Sequence, residues 1–109
     1  MSSIEELVRR LEERIRKIEV ITARTHNISC GDGVLTPYEV VPTPDGDDPT
    51  LYYPSLPKLR TVQDIRNLTD FQLNTYLSEY EINRGPLTAS ATREGKLRLL
   101  RRYIGCAVE

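Results

Sequence analysis

Few residues in this chain have the types and spacing that chemistry requires. The one histidine, His26, has no companion ligand, so a capping or surface role is expected rather than metal binding or proton transfer. Cys30 and Cys106 stand far apart, a pattern that gives neither a metal site nor a disulfide framework. Asp45, Asp47 and Asp48 crowd one short stretch but lack the spaced acids ending in Glu of a calcium loop, and read as a solvated acidic turn. No nucleophile–base pair, metal cluster or phosphate-cradling loop stands out. The chain is expected to be no enzyme and to carry no cofactor.

Charge is more informative. The net charge of −1 conceals a segregation, because residues 31–57 carry five acids and no Lys or Arg. Arg93, Lys96, Arg98, Arg101 and Arg102 face Glu94 alone between positions 93 and 102. Such a basic helix suits phosphate or an acidic protein surface, which makes Lys96, Arg98, Arg101 and Arg102 candidate nucleic-acid contacts. A solvated helix with cations complementing its C-terminal dipole explains the same run equally well.

The elements that would carry these residues are small. A chain of 109 residues, 39% hydrophobic, with no Trp, one Phe and six Tyr, holds one ordinary domain or a module on a stalk. Apolar residues concentrate at 4–21 and 68–104. Domains this small usually gain stability from a partner or an assembly. No signal peptide or membrane-spanning run is visible, because the first apolar positions alternate with charge, so a soluble, reducing-compartment protein is expected. Two glycosylation-type triplets, at Asn27 and Asn67, read as chance matches.

Residues 1–25 read as a stalk. Ser3 and Glu6 form a capping-box pattern, and Ile4, Val8, Leu11, Ile15, Ile18 and Thr22 alternate at spacings of four and three. With Val8, Ile15 and Thr22 at heptad position a, Ile4, Leu11 and Ile18 fall at d. Glu5, Glu12 and Glu19 then occupy e, and Arg14 sits at g between Leu7 and Ile21. Isoleucine at both seam positions tilts toward three or four strands. The run Arg14-Ile15-Arg16-Lys17-Ile18-Glu19 also resembles the trimerisation motif of short parallel coiled coils, in which the Arg bridges to the Glu of a neighbouring helix. A parallel homotrimer built on Ile4, Val8, Leu11, Arg14, Ile15, Ile18 and Glu19 is the expectation. The alternative, an amphipathic helix folded onto its own domain, is kept open by Leu7 and Ile21, which widen the stripe.

Residues 26–60 read as an acidic, proline-rich connector. Gly31-Asp32-Gly33 stops the helix, and Val34–Val41 favours an edge strand interrupted by Pro37. A loose hairpin with strands near 34–41 and 50–53 is allowed. Pro54-Ser55-Leu56-Pro57 reads as extended chain, a semi-rigid strap between stalk and module.

Residues 61–105 read as a helical module. Thr61 and Asp64 cap a short helix to about Asn67, and Thr69 and Gln72 cap a second to about Tyr80, with Leu73, Tyr76, Leu77 and Tyr80 on one face. Asn83-Arg84-Gly85-Pro86 breaks it. Thr88 is the expected N-cap of a last helix through Ile104, with Leu97, Leu100 and Ile104 inward and Gly105 as its stop.

Leu68-Thr69-Asp70, Leu73 and Leu77, then Tyr80-x-Ile82-Asn83-x-Gly85-Pro86-Leu87 and Thr92-Arg93 resemble the LEM domain, of the helix-extension-helix group. The resemblance covers about residues 61–104. It implies a helical fold that binds barrier-to-autointegration factor, a chromatin-bridging protein, through the inter-helix loop and the start of the last helix. Carried over, the partner contacts are Gly85, Pro86, Leu87, Thr88, Thr92 and Arg93. Leu87 can equally be core.

The fold expected is thus mainly α: a trimeric coiled coil, an irregular middle that allows a hairpin, and a LEM-like module. The function expected is an oligomeric adaptor that docks on a chromatin-associated protein or DNA, nuclear if the resemblance holds. The alternative is a viral or phage structural protein, a trimeric fibre, spike or capsid decoration with the module as its attachment domain.

Overall fold

A computed structural model describes residues 2–52, 56–82 and 92–107, and every regular element among them is helical. They are α1 (Ser2–Ser29), α2 (Pro49–Tyr52), α3 (Val62–Arg66), α4 (Asp70–Glu79) and α5 (Arg93–Ile104). No strand forms among the described residues, so the hairpin allowed by the sequence is absent. Pro37 and Pro42 lack the N–H that a ladder needs, and residues 50–52 of the second strand expected near 50–53 wind into the helical turn Pro49–Tyr52.

Helix α1 runs further than the seam pattern, through Thr22–Ser29, and begins at Ser2, which puts Ser3 inside the first turn rather than at its cap. At 1.5 Å per residue its 28 residues span about 42 Å. The longest extent of the molecule is 49 Å, and its radius of gyration is 15.2 Å, against about 13 Å for a compact chain of this length. The excess is the arm formed by the first turns of α1.

One core holds the rest. Ala23 and Cys30 of α1, Tyr38, Val41, Leu56 and Leu59 of the connector, and Ile65, Leu68, Leu73, Tyr76, Leu77, Leu97, Leu100 and Ile104 of the helical part are buried together. The stretch read as a strap is therefore part of the fold. What holds it without secondary structure is tyrosine, whose ring enters the core while its hydroxyl finds a partner. Tyr38, Tyr76 and Tyr80 donate to the carbonyls of Gly31, Pro57 and Val41. Tyr76, Tyr80 and Tyr103 stack in sequence, with centroids 5.8 and 4.5 Å apart.

The centre of the fold is Asn27, fully buried on α1. Its Nδ2 donates to Glu39 O at 3.1 Å and Ile104 O at 2.8 Å, while Oδ1 accepts from Glu39 N at 2.8 Å. One amide thus ties α1, the connector and the end of α5 together. Gly105 has φ 89° and lies against Arg24, where a Cβ would collide with the Arg24 carbonyl.

The helix starts match the sequence closely at two of three places. Thr61 with Asp64, and Thr69 with Gln72, form complete capping boxes. The third differs: the helix that ends at Ile104 is capped by Thr92, whose hydroxyl accepts from Gly95 N at 3.2 Å, while Thr88 lies outside the described residues. At the end of α4, Glu81 N bonds Ser78 O at 3.0 Å and Ile82 N bonds Leu77 O at 2.8 Å, a Schellman closure. It places Glu81 at φ 57°, a conformation that glycine adopts more cheaply.

Candidate functional site

Two regions collect the residues singled out by sequence: the arm of α1, and the end of the module where α4 and α5 begin.

On the arm, Ile4, Val8, Leu11, Ile15 and Ile18 are all exposed, with relative exposures from 47% to 63%. The core is built on a different face. At about 100° per residue, Asn27 points about 160° and Ala23 about 120° away from the mean direction of Ile4, Leu11 and Ile18. In the heptad register, Ala23 and Cys30 are b positions and Asn27 is f. These are the outer positions of a coiled coil, so the module occupies the back of the helix and leaves the a/d seam open. The sequence alternative, in which the stripe folds onto its own domain, is not the arrangement found. The ion pairs of the arm also lie at the back: Arg9 to Glu6 and Glu13 at 2.5 and 3.3 Å, and Arg10 to Glu6 at 3.6 Å. Arg14 and Glu19 have no ion-pair partner among the described residues.

At the module end, α4 and α5 lie side by side and run the same way. Arg93 Nη1 meets Asp70 Oδ1 at 2.6 Å, Lys96 Nζ donates to Asn74 Oδ1 at 3.0 Å, and Tyr80 stacks on Tyr103 at the other end. Gly85, Pro86, Leu87 and Thr88, expected as partner contacts, lie outside the described residues. Thr92 and Arg93 are placed, and both have intramolecular work. Thr92 caps α5. The Arg93 guanidinium donates to Arg66 O at 3.1 Å and Leu68 O at 2.5 Å besides pairing with Asp70, which pins the start of α5 to the α3–α4 junction.

The basic run is divided. Arg101 is buried, 3.7 Å from Glu94, and is closed to a ligand. Lys96 leans on α4. Arg98 and Arg102, four residues apart, are the exposed pair, so the four cations do not form one surface. Sequence reasoning missed Phe71, the one phenylalanine, which is 71% exposed on the first turn of α4, beside Asp70 and hence near Arg93. The signal was available, because Phe71 falls opposite the Leu73–Tyr76–Leu77–Tyr80 face.

Among the described residues, no three His, Cys, Asp or Glu side chains gather as metal ligands. The single histidine sits 3.4 Å from Pro37 O and 4.0 Å from Glu39. Neither cysteine is in a disulfide; Cys30 is buried, and Cys106 Sγ receives the Tyr38 hydroxyl at 3.2 Å. Burial pushes the hydroxyls of Tyr76 and Tyr80 well above the ordinary tyrosine value, and burial followed by the Cys106 contact does the same at Tyr38. Such phenols stay protonated. A groove of about 400 Å³ lies between the arm and the module, with Lys17, Val20, Ile21, Pro44 and Tyr103 among its walls.

The sequence model of the Mug135-like C-terminal domain matches residues 25–107, most of the chain. The chain belongs to the Mug135-like family. The matched segment of this Mug135-like chain begins two residues before Asn27 and ends just past Gly105, the span that the buried amide and the glycine contact draw together. No curated protein and no solved structure matches it. No helix among the described residues is long and apolar enough to cross a membrane.

Proposed function

We propose that this chain is a non-enzymatic oligomeric adaptor: the seam of α1 gathers three copies in parallel, and each Mug135-like module offers a docking end to a partner protein. The observation that carries the reading is the division of α1 into two faces. The a/d stripe is exposed, while the module sits on b and f positions, where three copies would stand outside a central bundle without obstructing it. Most helical stability in proteins comes from packing an amphipathic face, so the projecting turns, whose apolar face is bare, call for the company of other copies. Arg14 at g and Glu19 at e have no ion-pair partner among the described residues and are complementary between parallel neighbours. Three weak docking ends on one stalk then bind through effective concentration.

The docking end of this reading is the first turn of α4 with Phe71, the start of α5, and the turn that carries Gly85–Thr88. The resemblance to the LEM domain favours a chromatin-associated protein as the partner. Arg93 contributes by fixing the two helix starts. Nucleic acid is the less supported partner, because the exposed basic pair Arg98 and Arg102 is small.

Light scattering tests the assembly. A mass near three chains at micromolar concentration, falling to one chain in Ile15→Asp, is expected; a monomeric wild type overturns the seam reading. Titration against barrier-to-autointegration factor and duplex DNA at two salt concentrations separates the partners, since phosphate binding weakens steeply with salt. Retention of all binding in Phe71→Ala and Pro86→Ala removes the docking end.

A further inference from the structure

The seam of α1 changes character where the module begins. From Thr22 onward its a and d positions are Thr22, Thr25 and Ser29, all polar. Yet the g column stays apolar: Ile21 and Ile28 are 60% and 56% exposed. A second bare apolar patch stands nearby in the chain, at Val34 and Leu35, exposed to 68% and 96%.

These patches lie on opposite flanks of α1 and cannot cover each other within one chain. Residues 37–39 cross α1 on its e and b side, as the contacts of His26 with Pro37 O and of Asn27 with Glu39 fix. Val34 and Leu35 immediately precede that crossing, within about 7–10 Å of extended chain. Ile21 and Ile28 face the other way, across the helix. In a parallel bundle, g of one helix meets e of the next, five residues on. Ile28 would therefore face position 33 of its neighbour, which is where α1 has ended and the Val34–Leu35 tip stands.

We infer that the Val34–Leu35 tip of each copy docks on the Ile21–Ile28 column of the next, extending the interface beyond the coiled coil into a ring of module–helix contacts. The inference rests on the parallel assembly proposed above. The contact is heterologous, one surface against a different one, and the rotation of the bundle closes it. Charge agrees with this direction. At the positions flanking the seam, e carries Glu12 and Glu19 with exposed Glu39 nearby, and g carries Arg14, while Arg9 and Arg16 lie further round at b. An antiparallel neighbour would set glutamates against glutamates.

The test is cross-linking of the full chain. Ile28→Cys with Leu35→Cys in one chain, oxidised by copper–phenanthroline in air, is expected to give covalent species up to three chains. Each single variant should give no more than wild type. A double variant that keeps a trimeric mass but forms no such species overturns the ring while sparing the seam. Covalent dimers from Leu35→Cys alone in a Cys30→Ala, Cys106→Ser background overturn it too, since without the two native thiols they require like patches to meet. A monomeric wild type removes the underlying assembly instead, so the two failures are distinguishable. As a second measure, Leu35→Ser is expected to raise the concentration at which the trimer dissociates at least tenfold, with the circular dichroism of the chain unchanged; an unaltered dissociation overturns the docking.

Discussion

A single amide governs the fold at the residue scale. Asn27 satisfies three backbone groups that would otherwise be buried without partners, and each orphan costs about 1–3 kcal/mol. Asn27→Ala is expected to lower stability by about 3 kcal/mol in urea denaturation. Asn27→Asp should be worse at neutral pH, because an acceptor would replace the Nδ2 donor against two carbonyl oxygens; equal stability of Asp and Asn at this position would disprove that account. Arg93 offers a sharper dissection. Its partner Asp70 is largely exposed, and exposed pairs contribute little. Asp70→Asn should therefore cost under about 0.5 kcal/mol, whereas Arg93→Ala loses two carbonyl bonds and should cost about 1–2 kcal/mol. Glu81→Gly, at φ 57°, is expected to gain up to about 1 kcal/mol.

The helix starts at Thr61 and Thr69, the stop at Gly105 and the inward face of α5 were legible from element-scale sequence patterns, because caps and periodicity act over four residues. The course of residues 31–57 was not. Tyrosine hydroxyls reaching carbonyls 19 to 39 residues away hold it, and no local pattern announces a contact of that range. Six Tyr without a Trp was the available hint, since each pairs an apolar ring with a polar tip. The division of α1 was half legible. Its exposed apolar stripe showed in the heptads, but its buried face, made by Ala23 and Asn27, read as a loss of pattern. Likewise Arg101 looked like its basic neighbours, and only packing distinguishes it. At the site, Phe71 was readable from its place off the core face of α4, while the engagement of Arg93 with Arg66 and Leu68 depends on tertiary contacts. Gly105→Ala tests how α1 and α5 meet: a Cβ would strike the Arg24 backbone at a positive φ, and a loss of about 3 kcal/mol is expected by thermal denaturation.

At the scale of the whole molecule, the tyrosine core sets a pH limit. Burial raises Tyr38, Tyr76 and Tyr80 above the ordinary value near 10. The folded state then holds protons that the unfolded chain releases, so stability is fully present below about pH 10 and falls as pH rises toward the folded values. Each such group contributes a slope of about 1.4 kcal/mol per pH unit in that window. The phenolate absorbance of these residues should appear together with unfolding; its appearance in a chain whose circular dichroism is still native would refute the burial argument. The assembly proposed above would add a concentration dependence, with a melting temperature that rises on concentrating the protein.

The bond from Asn27 to Ile104 spans 77 positions, and this sets an order of events. During synthesis from the N-terminus, the seam of α1 is complete long before the carbonyl that anchors the same helix exists. The two faces of α1 thus become available at different times, the outward one first. In the assembly proposed above, nascent chains on one messenger would meet through their stalks before the Ile104 carbonyl that Asn27 binds has been made. Ile104 is then less a residue of the final helix than the latch of the whole chain.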